Sequence, residues 1–205
     1  MSILSSVGKL VGLATLLVAI GSCSLNPKQD PSQFYILTTA VDGDAAGAAV
    51  GAARVAVIGV GPVRLPAYLD RPQMVTRLSE VQVSISEYER WAENLQSNFT
   101  TVLGRNLEMA LGTTRVETFP WVAGVDYSVQ VTVVRFERDS SGTAQLKCNW
   151  SIIDLDRTTL LSRESSYREA AADATTDAAV AALSRTVQRL AVDIAAGVRQ
   201  LPPSD

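Results

Sequence analysis

The sequence predicts an α+β domain, a mostly antiparallel sheet with two long helices packed on one face. Three observations carry that expectation. Residues 127–138 and 144–154 alternate apolar and polar side chains on either side of Asp139-Ser140-Ser141-Gly142, a hairpin signal. Residues 88–111 and 177–200 repeat apolar side chains at three- and four-residue spacings, the pattern of amphipathic helices. Shorter apolar runs, punctuated by glycine and proline, supply the remaining strands.

In chain order, residues 1–22 read as a secretory signal. Lys9 provides the positive region, and residues 10–20 form an apolar run of about eleven residues, too short for a spanning helix. Ile20-Gly21-Ser22-Cys23 resembles a lipobox, so Cys23 is the expected lipid-attachment residue. Two or three acyl chains anchor stably where one does not. Ser24 stands where an inner-membrane retention aspartate is usual, which favours the outer membrane with the protein facing the periplasm. Residues 23–32 are then a lipidated N-terminus and short tether, and residues 33–205 are the domain.

Within that domain, residues 34–37 form a short strand and 42–53, rich in Gly and Ala, a loop. Residues 54–63 are near-continuously apolar, as in a strand covered on both faces. Residues 65–72 (LPAYLDRP) carry prolines at Pro66 and Pro72 and read as a stiff, irregular turn. Residues 74–78 and 81–85 pair as strands around Ser79-Glu80. The first helix is expected over 88–111, with Ser86 and Glu89 as a capping box and Gly112 as its C-terminal cap. A strand over 113–119 leads to Pro120-Trp121. After the long hairpin, a strand over 159–170 and the helix over 177–200 complete the domain. Cys148 shares a face with Leu146, Trp150 and Ile152, which places it in the core.

Composition excludes more than it suggests. The 205-residue chain is 47% hydrophobic, has a formal net charge of -3 and contains no histidine, which removes the commonest general base and zinc ligand. No cluster of Lys and Arg points to nucleic acid. No nucleophile elbow occurs, and the S-x-x-K match from Ser6 to Lys9 leaves with the signal. Gly59-Val60-Gly61 is too short to cradle phosphate, and Asp154 with Asp156 reads as a polar turn. Glu87 and Glu89 flank the expected helix start, where acidic residues favour the dipole without catalysis. The residues point to a non-enzymatic protein without cofactor or metal.

A family resemblance sharpens this. Val60-Gly61-Pro62-Val63, the run from Leu65 to Arg77, Arg90-Trp91-Ala92-Glu93, Asn106-Leu107, Phe119-Pro120-Trp121 and Asp126-Tyr127 closely resemble the ABC-type transport auxiliary lipoproteins, of the paraquat-inducible protein C (PqiC) type. The likeness runs from Phe34 to the terminal helix. It implies an outer-membrane docking partner for mammalian-cell-entry (MCE) domain proteins and their inner-membrane transporter, which together carry phospholipid or another apolar cargo and support membrane integrity. It leaves room for a homo-oligomer and carries over no catalytic residue. Alternatives are a periplasmic lipid-binding carrier and a structural envelope lipoprotein. The candidate contact residues are Pro66, Tyr68, Leu69, Asp70 and Arg71. Either Tyr68 and Leu69 fold inward to plug the core, or the stiff segment is exposed and inserts into a partner.

Overall fold

The computed structural model describes residues 30–39, 56–113, 115–121 and 124–201. Cys23, the signal, most of the tether and the loop expected over 42–53 lie outside these residues. The strands are β1 (Gln33–Tyr35), β2 (Ile58–Arg64), β3 (Gln73–Arg77), β4 (Val83–Trp91), β5 (Val116–Thr118), β6 (Tyr127–Asp139), β7 (Ala144–Asp154) and β8 (Thr159–Glu169). The helices are α1 (Leu95–Leu111) and α2 (Thr176–Val198), and a single 3-10 turn spans Ala67–Leu69.

β6 organises the sheet. It pairs antiparallel with β7 along its length, from Tyr127↔Asp154 to Arg138↔Ala144. Its other edge is shared by β2, parallel from Ile58↔Tyr127 to Arg64↔Thr132, and by β3, parallel at Thr76↔Arg138 and Arg77↔Asp139. β8 extends the sheet beyond β7, β4 and β1 extend it beyond β3, and β5 lies outside β2. The long ladders are antiparallel as expected. The parallel pairs are tertiary contacts that alternation along a single strand does not announce.

Both helices cover one face. Val129, Val131 and Val133 of β6 alternate inward with Leu146, Cys148, Trp150 and Ile152 of β7. A register shift between Val133 and Arg135 then resets the alternation, so Phe136 takes the inward place and Glu137 turns to the opposite face. Phe136 meets Phe99 of α1 edge to face, centroids 5.2 Å apart. After β1 the chain crosses the helix pair, where Leu37 N–H donates to Asn98 Oδ1 and Thr38 N–H donates to Ser184 Oγ. α2 runs close to the sheet at Gly197, where a Cβ would lie 2.7 Å from Leu161 Cδ2 and 3.2 Å from Trp150.

One expectation needs correction. The first helix begins at Leu95, not near Tyr88, and its cap is Asn94, whose Oδ1 accepts from Ser97 N–H at 3.1 Å. Residues 88–91 finish β4, so Glu87 and Glu89 sit on a strand. Ser86 Oγ does accept from Glu89 N–H, but as a local contact within that strand. The spacing misleads because Trp91, the last strand residue, falls four positions before Leu95, the first helical one. What decides is pairing on both sides, with Tyr35↔Trp91 across β1 and Trp91 N–H donating to Pro72 O. Gly112 closes α1 in the left-handed conformation at φ 68°, as expected.

Cys148 is wholly buried, with 0% exposure, and burial pushes its thiol up to about 12. It should therefore resist a water-soluble thiol reagent in the folded protein and react fully in denaturant. Rapid labelling under native conditions would refute its place in the core.

Candidate interaction surface

The stiff segment of residues 65–72 links β2 to β3 and sends Tyr68 to Glu137, on the sheet face that the helices leave open. Pro66 supplies an extended entry (φ -60°, ψ 144°), and the turn closes through Leu69 N–H to Pro66 O at 2.9 Å and Asp70 N–H to Ala67 O at 3.2 Å. Arg71 N–H donates to Leu69 O, and its guanidinium Nε to Tyr68 O at 2.9 Å. The segment is therefore hydrogen-bonded to itself at each step.

Its side chains divide. Leu69 is buried and plugs the core, Tyr68, Pro66 and Arg71 are half-buried, and Ala67, Asp70 and Pro72 are exposed. The structure thus brings Tyr68 and Arg71 together at one turn, leaves Asp70 facing water, and removes Leu69 from the surface.

A buried carboxylate holds this turn in place. Glu137 is only 2% exposed. Its Oε2 accepts the Tyr68 hydroxyl at 2.6 Å and the Phe136 N–H at 3.1 Å, and its Oε1 accepts Arg77 Nε at 2.6 Å. Arg135 Nε stands 3.7 Å from the same oxygen. Arg77 also lies over the Tyr68 ring, 5.7 Å from its centroid, and donates to the Glu80 carbonyl at 3.3 Å. One carboxylate so ties together the turn, β3, β6 and the loop after β3. The sequence reading missed Glu137, Arg77 and Arg135. The available signal was the break in alternation at Val133-Val134-Arg135-Phe136, which marks the register shift that turns Glu137 towards the open face.

On the helix side a second cluster fastens the start of α2. Arg138 bridges Glu89 at 3.0 Å, Thr76 at 3.1 Å and Thr176 at 3.2 Å, and Thr176 also donates to Glu89. The glycines of β2 have a packing role. A Cβ at Gly59 would lie 3.0 Å from the Trp121 ring, and one at Gly61, whose φ is +125°, would lie 2.5 Å from Phe119 Cβ. Phe119 and Trp121 stack edge to face above them. Among the described residues no cluster of three or more acidic or cysteine side chains forms a metal site. The cleft between α1 and β5, lined by Gln96, Ser97, Thr100, Thr118 and Phe119 among others, has a volume of about 190 Å³.

A sheet with two helices on one face and a rigid, self-bonded turn on the other defines a scaffold that presents surface. The chain belongs to the ABC-type transport auxiliary lipoprotein component family, whose profile matches residues 35–195. Two similar solved structures share the fold. An uncharacterized protein aligns with a TM-score of 0.67 at 20% identity, covering 82% of this chain and 98% of that one. A Xanthomonas campestris protein of family DUF330 aligns with a TM-score of 0.68 at 18% identity, covering 82% and 94%. A PelC dodecamer from Paraburkholderia phytofirmans aligns more distantly, with a TM-score of 0.43 at 14% identity over 76% and 94%. Among curated proteins none matches. Among the described residues, no helix is long and apolar enough to cross a membrane.

Burial and the hydrogen bond to Glu137 raise the Tyr68 phenol to about 12. That lies above the unfolded value of about 10, so the protonated ring's contribution is complete below pH ~10 and is lost as pH rises through about 12. The stability gap between wild type and Tyr68→Phe, measured by urea unfolding, should therefore narrow from pH ~10 upward. Tyr167, also raised by burial and by Asp193, titrates in both proteins and cancels. A pH-independent gap would contradict the bond.

Proposed function

We propose that this protein is a non-enzymatic docking component of an MCE-type lipid transport system, tethered by an acylated Cys23 to the outer membrane and facing the periplasm. The observation that carries this reading is the family match over most of the domain, which makes the chain an auxiliary of a transporter. The turn at 66–72 supplies the means. A surface already fixed in shape loses less entropy on binding, and tyrosine and arginine are favoured anchors. Leu69 secures the turn from inside, while Ala67, Tyr68, Asp70 and Arg71 face the partner. The MCE-domain protein would dock on this face and pass phospholipid or another apolar cargo towards the outer membrane, in support of membrane integrity.

Affinity purification of the full-length protein from native membranes tests this. Wild type should co-purify with an MCE-domain protein and its inner-membrane transporter. Asp70→Lys and Ala67→Asp should melt as wild type does and lower capture about tenfold, near 1.4 kcal/mol. Cys23→Ser should lose acylation and no longer sediment with outer membranes. Wild-type capture of no MCE-domain protein, or unchanged capture by both surface variants, would overturn the reading.

A further inference from the structure

The β3–β4 hairpin ends in an apolar tip that the docking turn does not use. Val81 is 96% exposed, Leu78 46%, and Ile85, farther up β4, 47%. Large aliphatic groups at a tip normally move freely, but this tip is fixed. Leu78 N–H donates to Gln82 O at 2.9 Å, Ser79 N–H to the same oxygen at 3.2 Å, and Arg77 Nη1 to the Glu80 carbonyl at 3.3 Å. The tip's one carboxylate, Glu80, is paired with Arg135 Nη2 at 3.1 Å, so its charge is offset. The result is a rigid projection with two aliphatic side chains in water.

The direction of the chain identifies what covers it. β1 runs parallel to β4 in the register Gln33↔Glu89, so the N-terminal end of β1 points along β4 towards the hairpin tip. From the level of Glu89 to that of Val81 is at most about 26 Å at ~3.3 Å per strand residue, and less where β4 is irregular against β3. The segment 23–32 can span up to roughly 33–36 Å when extended. A bilayer holding Cys23 therefore lies within reach of the tip. The opposite end of the sheet, with the β7–β8 turn at Leu155, lies away from the end at which the chain enters β1. Arg77↔Asp139 puts the tip beside the β6–β7 turn, whereas Tyr127↔Asp154 puts Leu155 at the other end of β6.

We propose that the tip, through Leu78 and Val81, seats in the headgroup region of the phospholipid leaflet that holds the anchor. This rests on the reading of Cys23 as acylated and adds an orientation to it. Burying each aliphatic side chain strengthens contact on the order of tenfold. With the tip seated, the sheet stands on the membrane by its β3–β4 end, and the turn at 66–72 is held at a fixed height above it.

The test uses the full acylated chain in vesicles of phosphatidylethanolamine and phosphatidylcholine. An environment-sensitive fluorophore is placed on Val81→Cys and, as a control, on Leu155→Cys. Burial of Cys148 leaves the introduced thiol as the reactive one. The label at 81 should lose fluorescence to lipids brominated on their chains and resist aqueous iodide, and the label at 155 should do the reverse. Iodide quenching at 81, with no effect of brominated lipid, would overturn the proposal. Shielding from both quenchers would assign the tip to a second copy of the chain and overturn it equally. The mass of the N-terminal peptide separates the two readings. An unacylated peptide sinks the anchor and the proposal with it, whereas an acylated chain with a wet tip sinks the proposal alone.

Discussion

The arrangement of the working face depends on one buried carboxylate. Glu137 lies on the sheet face opposite the helices and is almost wholly removed from water, with Arg77, Tyr68 and its own neighbouring N–H around it. Removing one partner of such a pair costs about 3–5 kcal/mol, because the other charge is left buried and unmet. Replacing both with apolar groups of similar size costs far less and is often neutral. The pair is thus a poor explanation for why the domain is stable. It is a good explanation for why the turn at 66–72 and the hairpin after β3 keep fixed positions.

The remaining structure supplies that carboxylate's setting. The register shift in β6 turns Glu137 outward while Phe136 fills the helix-facing core against Phe99. Leu69 is buried in that same core, and the neighbouring Tyr68 hydroxyl bonds Glu137, so the turn is held at both residues. Arg77 then reaches past Glu137 to the carbonyl of Glu80, linking the turn to the hairpin tip. One set of hydrogen bonds thus fixes the spacing between the turn at 66–72 and the hairpin tip.

Much of the architecture was legible because its signals are local. The β6–β7 hairpin, the end of α1 at Gly112, the terminal helix and the inward place of Cys148 all follow from alternation, helical spacing or a turn residue. What was not legible is non-local. Residues 88–91 carry a spacing that continues into the helix, and only pairing with β1 and the bond to Pro72 makes them strand. The stiffness of 65–72 was readable from its prolines. Its division into an inward Leu69 and an outward Asp70 was not, because that depends on Glu137, which is remote in sequence and displaced by a bulge. Gly59 and Gly61 belong to the same class, since their purpose is visible only once Trp121 and Phe119 lie over them.

The central claim is that the Glu137 charge, and not the core beneath it, fixes the turn and the hairpin tip. Amide hydrogen exchange in Glu137→Gln tests this most directly, since glutamine keeps the shape and removes the charge. The account predicts faster exchange at Leu69, Asp70 and Arg71 and at Leu78 and Gln82, with the amides of Val129, Val131 and Val133 unchanged. Unchanged exchange in the turn and tip, or an equal acceleration across β6, would contradict it.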